Sequence, residues 1–380
     1  MRKDKKKAVL TGAHGLLGIH ASAYLKYILD FDVVRPSRTE WTARGALARQ
    51  IDGADLFLHF AALNRGSDEE VDAVNDHLTA LVVAAIAEVE TPPSAIVYSN
   101  SIHFERDTVY GRMKRRVADA LTEASIARRV RFIDGVLPNV FGEGGQQFSN
   151  SVVSTFCYQL ARGEKPQVLN DGEIELLHAG DAIAALAGSA IEPGERHVVL
   201  RPVGRSLRVS ELKARLEGYM SLYRGGVMPT LDAPFDVRLF NTMRSYLYPS
   251  QFPLELKHFV DVRGELAECI RAEGRGQIFY SSTHPTITRG NHFHFIKIER
   301  FIVLQGEGVI RMRRIFDDNV IEYSVSGKKP SAVDIPTLYT HSITNTGSEP
   351  LLTLFWTNEF FNPASTDTYA EPVMKEAITT

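Results

Sequence analysis

At "YPSQFPLELKHF", residues 248–259, the chain changes the rule by which its apolar residues recur. Before it, short apolar runs alternate with longer segments of helical period: "AVLTGAHG", "LLGIHASAYLKYI", "FDVVRPS", "DLFLHFAA", "HLTALVVAAIAEV", "SAIVYSNS" and, later, "VRFIDGVLPNVFG". Strand and helix in repeated succession predict an α/β Rossmann-type, doubly wound parallel sheet. After it, "GQIFYSST", "RFIVLQGEGVIRMRRI", "VIEYSVS", "SAVDIPT" and "LLTLFWTNEF" are strand-like, and helical period nearly vanishes. The division reads as an α/β domain over 1–245, a linker over 246–255 and an all-β sandwich or barrel over 256–380. At 380 residues the chain is long enough for two separate cores.

A net charge of −3, with 44% hydrophobic and 23% charged residues, gives no overall field to attract nucleic acid, so phosphate recognition has to be local. The basic start "MRKDKKK" reads as a solvated tail rather than a nucleic-acid or membrane anchor. No apolar run reaches membrane-spanning length, and no secretory hydrophobic segment follows that start. Cys157 and Cys269 are distant in sequence and flanked by apolar residues, which predicts buried thiols rather than a disulfide and suits a reducing cytoplasm.

"TGAHGLLG" places Gly12, Gly15 and Gly18 between a strand and a helix that opens with Leu16 and Leu17. This is where backbone can approach a pyrophosphate at a positively polarised helix end, although glycines also serve plain packing in tight βα turns. At the end of the second strand, Arg35 and Arg38 stand where a reader of NAD wants an acidic residue. Arginine suits a 2′-phosphate, so NADPH is favoured; two solvated surface arginines are the plain alternative. Ser101 ends a further strand, and Tyr110 and Lys114, four apart, share one helix face. The ammonium is expected to lower the phenol pKa, the phenol to protonate a carbonyl oxygen as hydride arrives, and the serine hydroxyl to hold that oxygen.

Through "TGAHGLLG", "DLFLHFAALNR", Asn75, "YSNS", "YGRMK", "PNVFG" and "HAGDAIAAL", the first 240 or so residues resemble the extended short-chain dehydrogenases/reductases. The resemblance implies catalytic roles for Ser101, Tyr110 and Lys114, the last two also at the cofactor. It implies a supporting role for Asn75 in the proton relay and a place for Asn139 near a sugar-nucleotide substrate. Val136 departs from that family, which often has an arginine three residues before the asparagine.

In "GNHFHFIKIERFIVLQG", alternation points His292 and His294 to one face of a strand, and a turn or bulge lets Glu299 join them. His341 follows in "PTLYTHSITN". Three imidazoles and a carboxylate suit zinc, iron, nickel or manganese. The residues resemble the two cupin motifs, HxHxxxxE with Gly306, then Pro336, His341 and Asn345, with Leu338 where the second motif usually has glycine. "TRGNHFH" also resembles the segment bearing the catalytic histidine of deoxysugar epimerases, so a proton-transfer role for His292 stands beside the ligand role.

A reductase of this type needs a ketone, and a C–H beside a ketone is acidic enough for a metal-assisted base to remove, so the two halves are chemically compatible. Their order, together with "VVSTFCYQLARGE", "RGNHFH", "GEGVIRMRR", "YTHSITNTG" and "FNPASTDTY", resembles the CapF-type bifunctional capsule-precursor enzymes. The resemblance implies a cupin that epimerises C3 of a UDP-linked 2-acetamido-2,6-dideoxy-4-ketohexose. It further implies an NADPH-dependent reduction at C4 to UDP-2-acetamido-2,6-dideoxy-β-L-talose, on the route to N-acetyl-L-fucosamine. A cytoplasmic homodimer with a divalent metal, zinc by analogy, and Tyr339 as a candidate for proton transfer belong to the same expectation. Two rival readings are a reductase with a structural or regulatory cupin and a non-catalytic NADPH sensor. An iron cupin dioxygenase fits the ligands alone.

Overall fold

The computed structural model describes residues 5–149, 151–256, 258–261, 264–267, 269–272, 274, 276–360, 362 and 366–375. The first residues of the basic start and part of "FNPASTDTY" lie outside these. The chain forms two compact units, residues 1–155 with 169–209 and residues 156–168 with 210–380.

The first unit is built on six strands in the order Asp32–Val34, Lys7–Thr11, Leu56–His59, Ala95–Ser101, Arg131–Leu137, His197–Leu200. Every neighbouring pair is parallel. Period-two alternation divides the strand side chains between two cores. Val9, Phe57, Ile96 and Phe132 pack with Leu78, Val82 and Ile86 of helix Asp68–Glu88 and with Met113, Val117 and Leu121 of helix Val109–Arg128. Ala8, Leu10, Leu58, Val97 and Ile133 pack on the other face with Ala21 of helix Leu16–Ala23 and with Ile183 and Leu186 of helix Ala179–Ile191. Burial on both faces is why these strands read as continuous apolar runs. A smaller sheet joins Asn139–Phe141 to Glu173–His178 in parallel and Glu173–His178 to Arg205–Arg208 in antiparallel fashion.

The second unit contains two antiparallel five-stranded sheets. One runs Leu254–Glu255, Ser331–Ile335, Glu299–Gln305, Leu351–Thr357, Gln277–Thr283; the other runs Val320–Ser326, Glu307–Arg314, Tyr339–Asn345, Thr288–Phe293, Tyr369–Ala370. Phe301, Val333, Ile335 and Phe355 of the first share a core with Ile310, Met312, Val325 and Ile343 of the second, so the sheets pack face to face. Helix Pro234–Ser245 belongs to this unit: Asn241 donates to the Ile296 carbonyl at 2.7 Å and Arg244 to that of Ile335 at 2.9 Å. Beneath it Arg300 grips Asp334 with two hydrogen bonds of 2.6 and 2.9 Å, and the Tyr223 hydroxyl donates to the same carboxylate. Helix Val209–Arg224, from residue 210 on, and the whole of Pro234–Ser245 therefore pack with the second unit, although their helical period continues that of the first.

Cys157 and Cys269 are not joined by a disulfide; Cys157 is buried, which pushes its thiol pKa up, and Cys269 is partly so. Among the described residues no helix is long and apolar enough to cross a membrane.

Two glycines give opposite forecasts. A Cβ at Gly18 would lie 2.1 Å from the Gly12 carbonyl oxygen, so Gly18→Ala forces the first helix off its strand. The loss expected in urea unfolding is about 1–3 kcal/mol. Gly188 has nothing within 4 Å of its Cβ position and lies inside helix Ala179–Ile191. Gly188→Ala should instead stabilise by about 0.5–1 kcal/mol.

Candidate active site and candidate metal centre

The turn after the first strand needs Gly12. Its φ of +74° is left-handed, and a Cβ there would meet the Ala61 nitrogen at 2.6 Å. Gly15 caps the helix without a side-chain hydrogen bond, leaving the helix end to its backbone, and Leu16 and Leu17 follow half-buried. Arg35 lies against this turn, donating to the Ala13 carbonyl at 3.2 Å. Arg38 stands exposed as the first residue of the short helix Arg38–Thr42. Asn75 braces the chain beside this site. Its amide accepts from Leu63 N–H at 3.0 Å and donates to the carbonyls of Leu63 and Val71 at 2.8 and 2.7 Å, so it clamps the segment after strand Leu56–His59.

Ser101 ends its strand, and Thr108 caps the following helix by accepting from Gly111 N–H at 3.1 Å, which sets Tyr110 and Lys114 one turn apart at its start. Burial pushes the Tyr110 phenol up, against a hydrogen bond with Ser101 that acts the other way. The expectation that the neighbouring cation dominates this phenol is not what the geometry gives. Lys114 donates to the Ser99 carbonyl at 2.8 Å and lies 4.8 Å from the Tyr98 ring centroid and 5.8 Å from that of Tyr110. A phenol that keeps its proton is nevertheless the form that protonates a carbonyl oxygen. Lys114 is itself only 3% exposed, and burial pulls its ammonium down to about 8, with the Asp134 carboxylate opposing the fall. Asn139 donates to the Glu175 carbonyl at 3.2 Å, and Val136, the departure from the arginine pattern, is buried in its strand.

In the second unit the four metal candidates converge. Strand Thr288–Phe293 pairs with Tyr339–Asn345 so that His292 stands opposite His341. A register shift lies between Gly290 and His292, where Asn291 takes φ +59°. Glu299 opens a strand of the facing sheet, so the site lies between the two sheets. One oxygen of Glu299 is 3.0 Å from His294 Nε2 and 3.4 Å from His341 Nε2, yet both Nε2 atoms are buried without an aligned hydrogen bond. The ligand atoms of all four residues lie within 4.8 Å of one another.

The Nδ1 of His294 meets the Asp367 carbonyl, and that of His341 lies 3.4 Å from the Tyr339 carbonyl. A carbonyl only accepts, so each Nδ1 carries the proton and each Nε2 turns a lone pair to the shared point. Burial, then the two neighbouring imidazoles, pull His292 down to about 4, and burial also lowers His341. Burial opposes the charge of Glu299, and contacts with His294 and His341 lower its pKa only where those rings offer N–H or positive charge; with each Nε2 offering a lone pair, a cation is what would hold the carboxylate ionised. Three imidazoles around a carboxylate, with two orphaned buried nitrogens, fit a divalent cation.

Leu338 adopts φ +63°, the conformation that glycine favours, and its N–H bonds the His294 carbonyl at 2.9 Å. The turn that the usual glycine would make is thus kept, at a strain of about 1–2 kcal/mol for an L-residue. Tyr339 packs on the Tyr248 ring at 5.1 Å, and burial pushes its phenol up.

Three features went unread in the sequence. Asp134, a lone acid in the apolar run "RFIDGVL", accepts from Asn100 at 3.2 Å behind Lys114; an acid in a buried strand was the available signal. Asp367 binds the chain at 294–297 and Arg313 the chain at 371–373, and no local pattern marks either. His20, Glu143 and His178 also meet in a buried cluster. There His178 Nδ1 accepts from Gly180 N–H at 3.1 Å, so its Nε2 carries the proton and donates to Glu143 at 3.0 Å, leaving no lone pair for a metal.

Residues 8–195 match the NAD dependent epimerase/dehydratase family, and residues 259–369 match the polysaccharide biosynthesis C-terminal domain. The chain is 29% identical over 368 residues to the UDP-2-acetamido-2,6-beta-L-arabino-hexul-4-ose reductase of Pseudomonas aeruginosa, covering 96% of this chain and 98% of that one. It resembles the crystal structure of the capsular polysaccharide assembling protein CapF from Staphylococcus aureus, with a TM-score of 0.57 and 32% identity over 97% of this chain and 100% of that one. A UDP-N-acetylglucosamine 4-epimerase from Methanobrevibacter ruminantium shares the fold, with a TM-score of 0.54 and 16% identity over 66% of this chain and 100% of the other.

The 13Cε resonance of Lys114, assigned by Lys114→Arg, should titrate near the value of about 8 set by its burial. A midpoint above 10 would contradict that burial. Because the folded pKa lies below the unfolded one of about 10.4, the unfolded chain binds more protons between these values, and this group makes stability rise with pH across that window.

Proposed function

The chain belongs to the CapF-type family of capsular polysaccharide enzymes, and from that membership we propose that it is a two-step nucleotide-sugar enzyme. It is a nucleotide-sugar reductase/epimerase of capsule biosynthesis. In our reading the substrate is a UDP-linked 2-acetamido-2,6-dideoxy-4-ketohexose. The β-sandwich is a cupin that inverts C3, and the Rossmann-type domain reduces C4 with NADPH to give UDP-2-acetamido-2,6-dideoxy-β-L-talose. We keep residues 1–245 and 256–380, joined by 246–255, as the division of chemistry, and expect a homodimer as the resemblance implies. The observation that carries the reading is the convergence of the buried Nε2 atoms of His294 and His341 on Glu299, in a chain that also aligns Ser101, Tyr110 and Lys114.

His292, His294, Glu299 and His341 would hold the divalent cation, zinc by analogy, which when bound polarises a sugar oxygen and so acidifies the C–H beside the ketone. Removal of that proton and its return on the opposite face invert C3 with no change of oxidation state. Near thermoneutrality of this step makes the following reduction its driving force. In the reductase, Gly12, Gly15 and Gly18 let backbone approach the pyrophosphate, and Arg35 and Arg38 take the 2′-phosphate. NADPH supplies the hydride for C4. Ser101 holds the C4 oxygen, Tyr110 passes its proton to it, and solvent reprotonates the phenol. Lys114 would grip the nicotinamide ribose once released from the Ser99 carbonyl, and Asn139 would border the sugar nucleotide.

The test is turnover of a UDP-4-keto-6-deoxy-HexNAc with NADPH in deuterated water, followed by mass and NMR of the product. Deuterium at an inverted C3 is expected; reduction without C3 exchange would leave a reductase whose cupin is structural. Because Lys114 titrates near about 8 and Tyr110 above its ordinary value, kcat/KM for reduction should fall on the alkaline side from about pH 8. Lys114→Arg should move that limb upward; an unmoved limb would assign it to another group.

A further inference from the structure

We propose that residues 366–375 form a fixed wall of the metal centre and that Asp367 is its positioning residue, anchored through the buried Arg313. This rests on the reading of His292, His294, Glu299 and His341 as metal ligands.

Asp367 holds the turn between two of those ligands. Its carboxylate accepts three successive backbone N–H groups, Phe295 at 2.9 Å and Ile296 and Lys297 at 2.7 Å each. Its carbonyl accepts from His294 Nδ1. One residue therefore fixes both the path of the chain from His294 toward Glu299 and the tautomer that leaves His294 Nε2 unprotonated. Hydrogen bonds from backbone N–H to an ionised carboxylate are about twice as strong as neutral ones, so the turn is held firmly.

The residues that follow reach His292 directly and His341 through its chain neighbour. Tyr369 and Ala370 pair with Phe293 and His292. Glu371 N–H donates to the Asn291 carbonyl at 2.9 Å, and Val373 N–H donates to the Asn291 side chain at 3.2 Å, which props the left-handed residue just before His292. Thr340, just before His341, donates its hydroxyl to the Glu371 carbonyl.

Arg313 ties this segment to the sheet. It is 1% exposed. Its Nε donates to the Val373 carbonyl at 2.8 Å, and its Nη2 donates to the Pro372 carbonyl at 2.6 Å and to the Glu371 carboxylate at 3.1 Å. The remaining nitrogen donates to the Asp317 and Arg314 carbonyls at 3.0 and 3.3 Å. A buried guanidinium with this many acceptors is satisfied only while the segment stays in place.

The experiment compares the full-length parent with Asp367→Asn and Asp367→Ala. Zn2+ affinity is read by competition with a chromophoric chelator, the ligand field by the visible bands of the Co2+ form, and folding by circular dichroism. Asp367→Ala should bind Zn2+ about 10–100-fold more weakly and shift the Co2+ bands, with Asp367→Asn, which keeps one acceptor oxygen, in between. Parent affinity and unchanged bands in a folded Asp367→Ala would overturn the proposal. Should the alanine variant not fold, unchanged affinity and bands in Asp367→Asn would overturn it equally. A parent that binds no metal, or whose binding survives His341→Ala, would instead overturn the metal-centre reading beneath it.

Discussion

A carboxylate buried between two sheets has to find positive charge or surrender its own, and the second unit is arranged around that constraint at Glu299. Glu299 is 7% exposed, and His294 and His341, at 1% and 0%, face it from the opposite sheet. The strand pairing that sets His292 opposite His341, the bulge before His292 and the left-handed Leu338 all serve to bring three imidazoles to one acid. With each Nδ1 of His294 and His341 turned to a carbonyl, the cluster offers lone pairs rather than protons. Such an arrangement is poorly satisfied without a cation.

The first unit handles buried charge in another way. Lys114 is deeper than Glu299, but its acceptor is the neutral Ser99 carbonyl, and the Asp134 carboxylate stands behind it bonded to Asn100. The ammonium is consequently held loosely enough to titrate within reach of neutrality, while the phenol of Tyr110 is kept protonated by burial. The Ser101, Tyr110 and Lys114 group and the His292, His294, Glu299 and His341 cluster thus share the chain with separate side chains. The Arg300–Asp334 and Arg313 networks do neither. They tie the helix Pro234–Ser245 and the segment 366–375 to the sandwich that carries the histidines.

What could be read from sequence were the features whose spacing is their mechanism. Alternation showed where strands lie, the Gly12 and Gly18 positions are demanded by backbone approach, and four-residue spacing put Tyr110 and Lys114 on one helix face. HxH followed by Glu299 brought three members of the buried cluster from one short stretch, and His341 joined through strand register. Contacts between distant segments left no such trace. Asp367 acts on 294–297 from seventy residues away through backbone N–H groups, which any sequence there would supply. The hydrogen bonds of Asn75 to Leu63 and Val71, which clamp the segment after strand Leu56–His59, also left no mark in the sequence. The helical period before residue 246 likewise continued smoothly through Pro234–Ser245, since period reports an apolar face and not the sheet that covers it.

Separate residue sets for proton removal and hydride delivery are the centre of this account, and Tyr110→Phe tests it most directly. The variant is incubated in deuterated water with the 4-keto sugar nucleotide and NADPH, and both C3 deuterium and NADPH oxidation are followed. Exchange at C3 near the parent rate, with oxidation of NADPH lost, is the predicted result. Loss of exchange together with oxidation, in a protein still folded, would contradict two sites and place both steps at Tyr110.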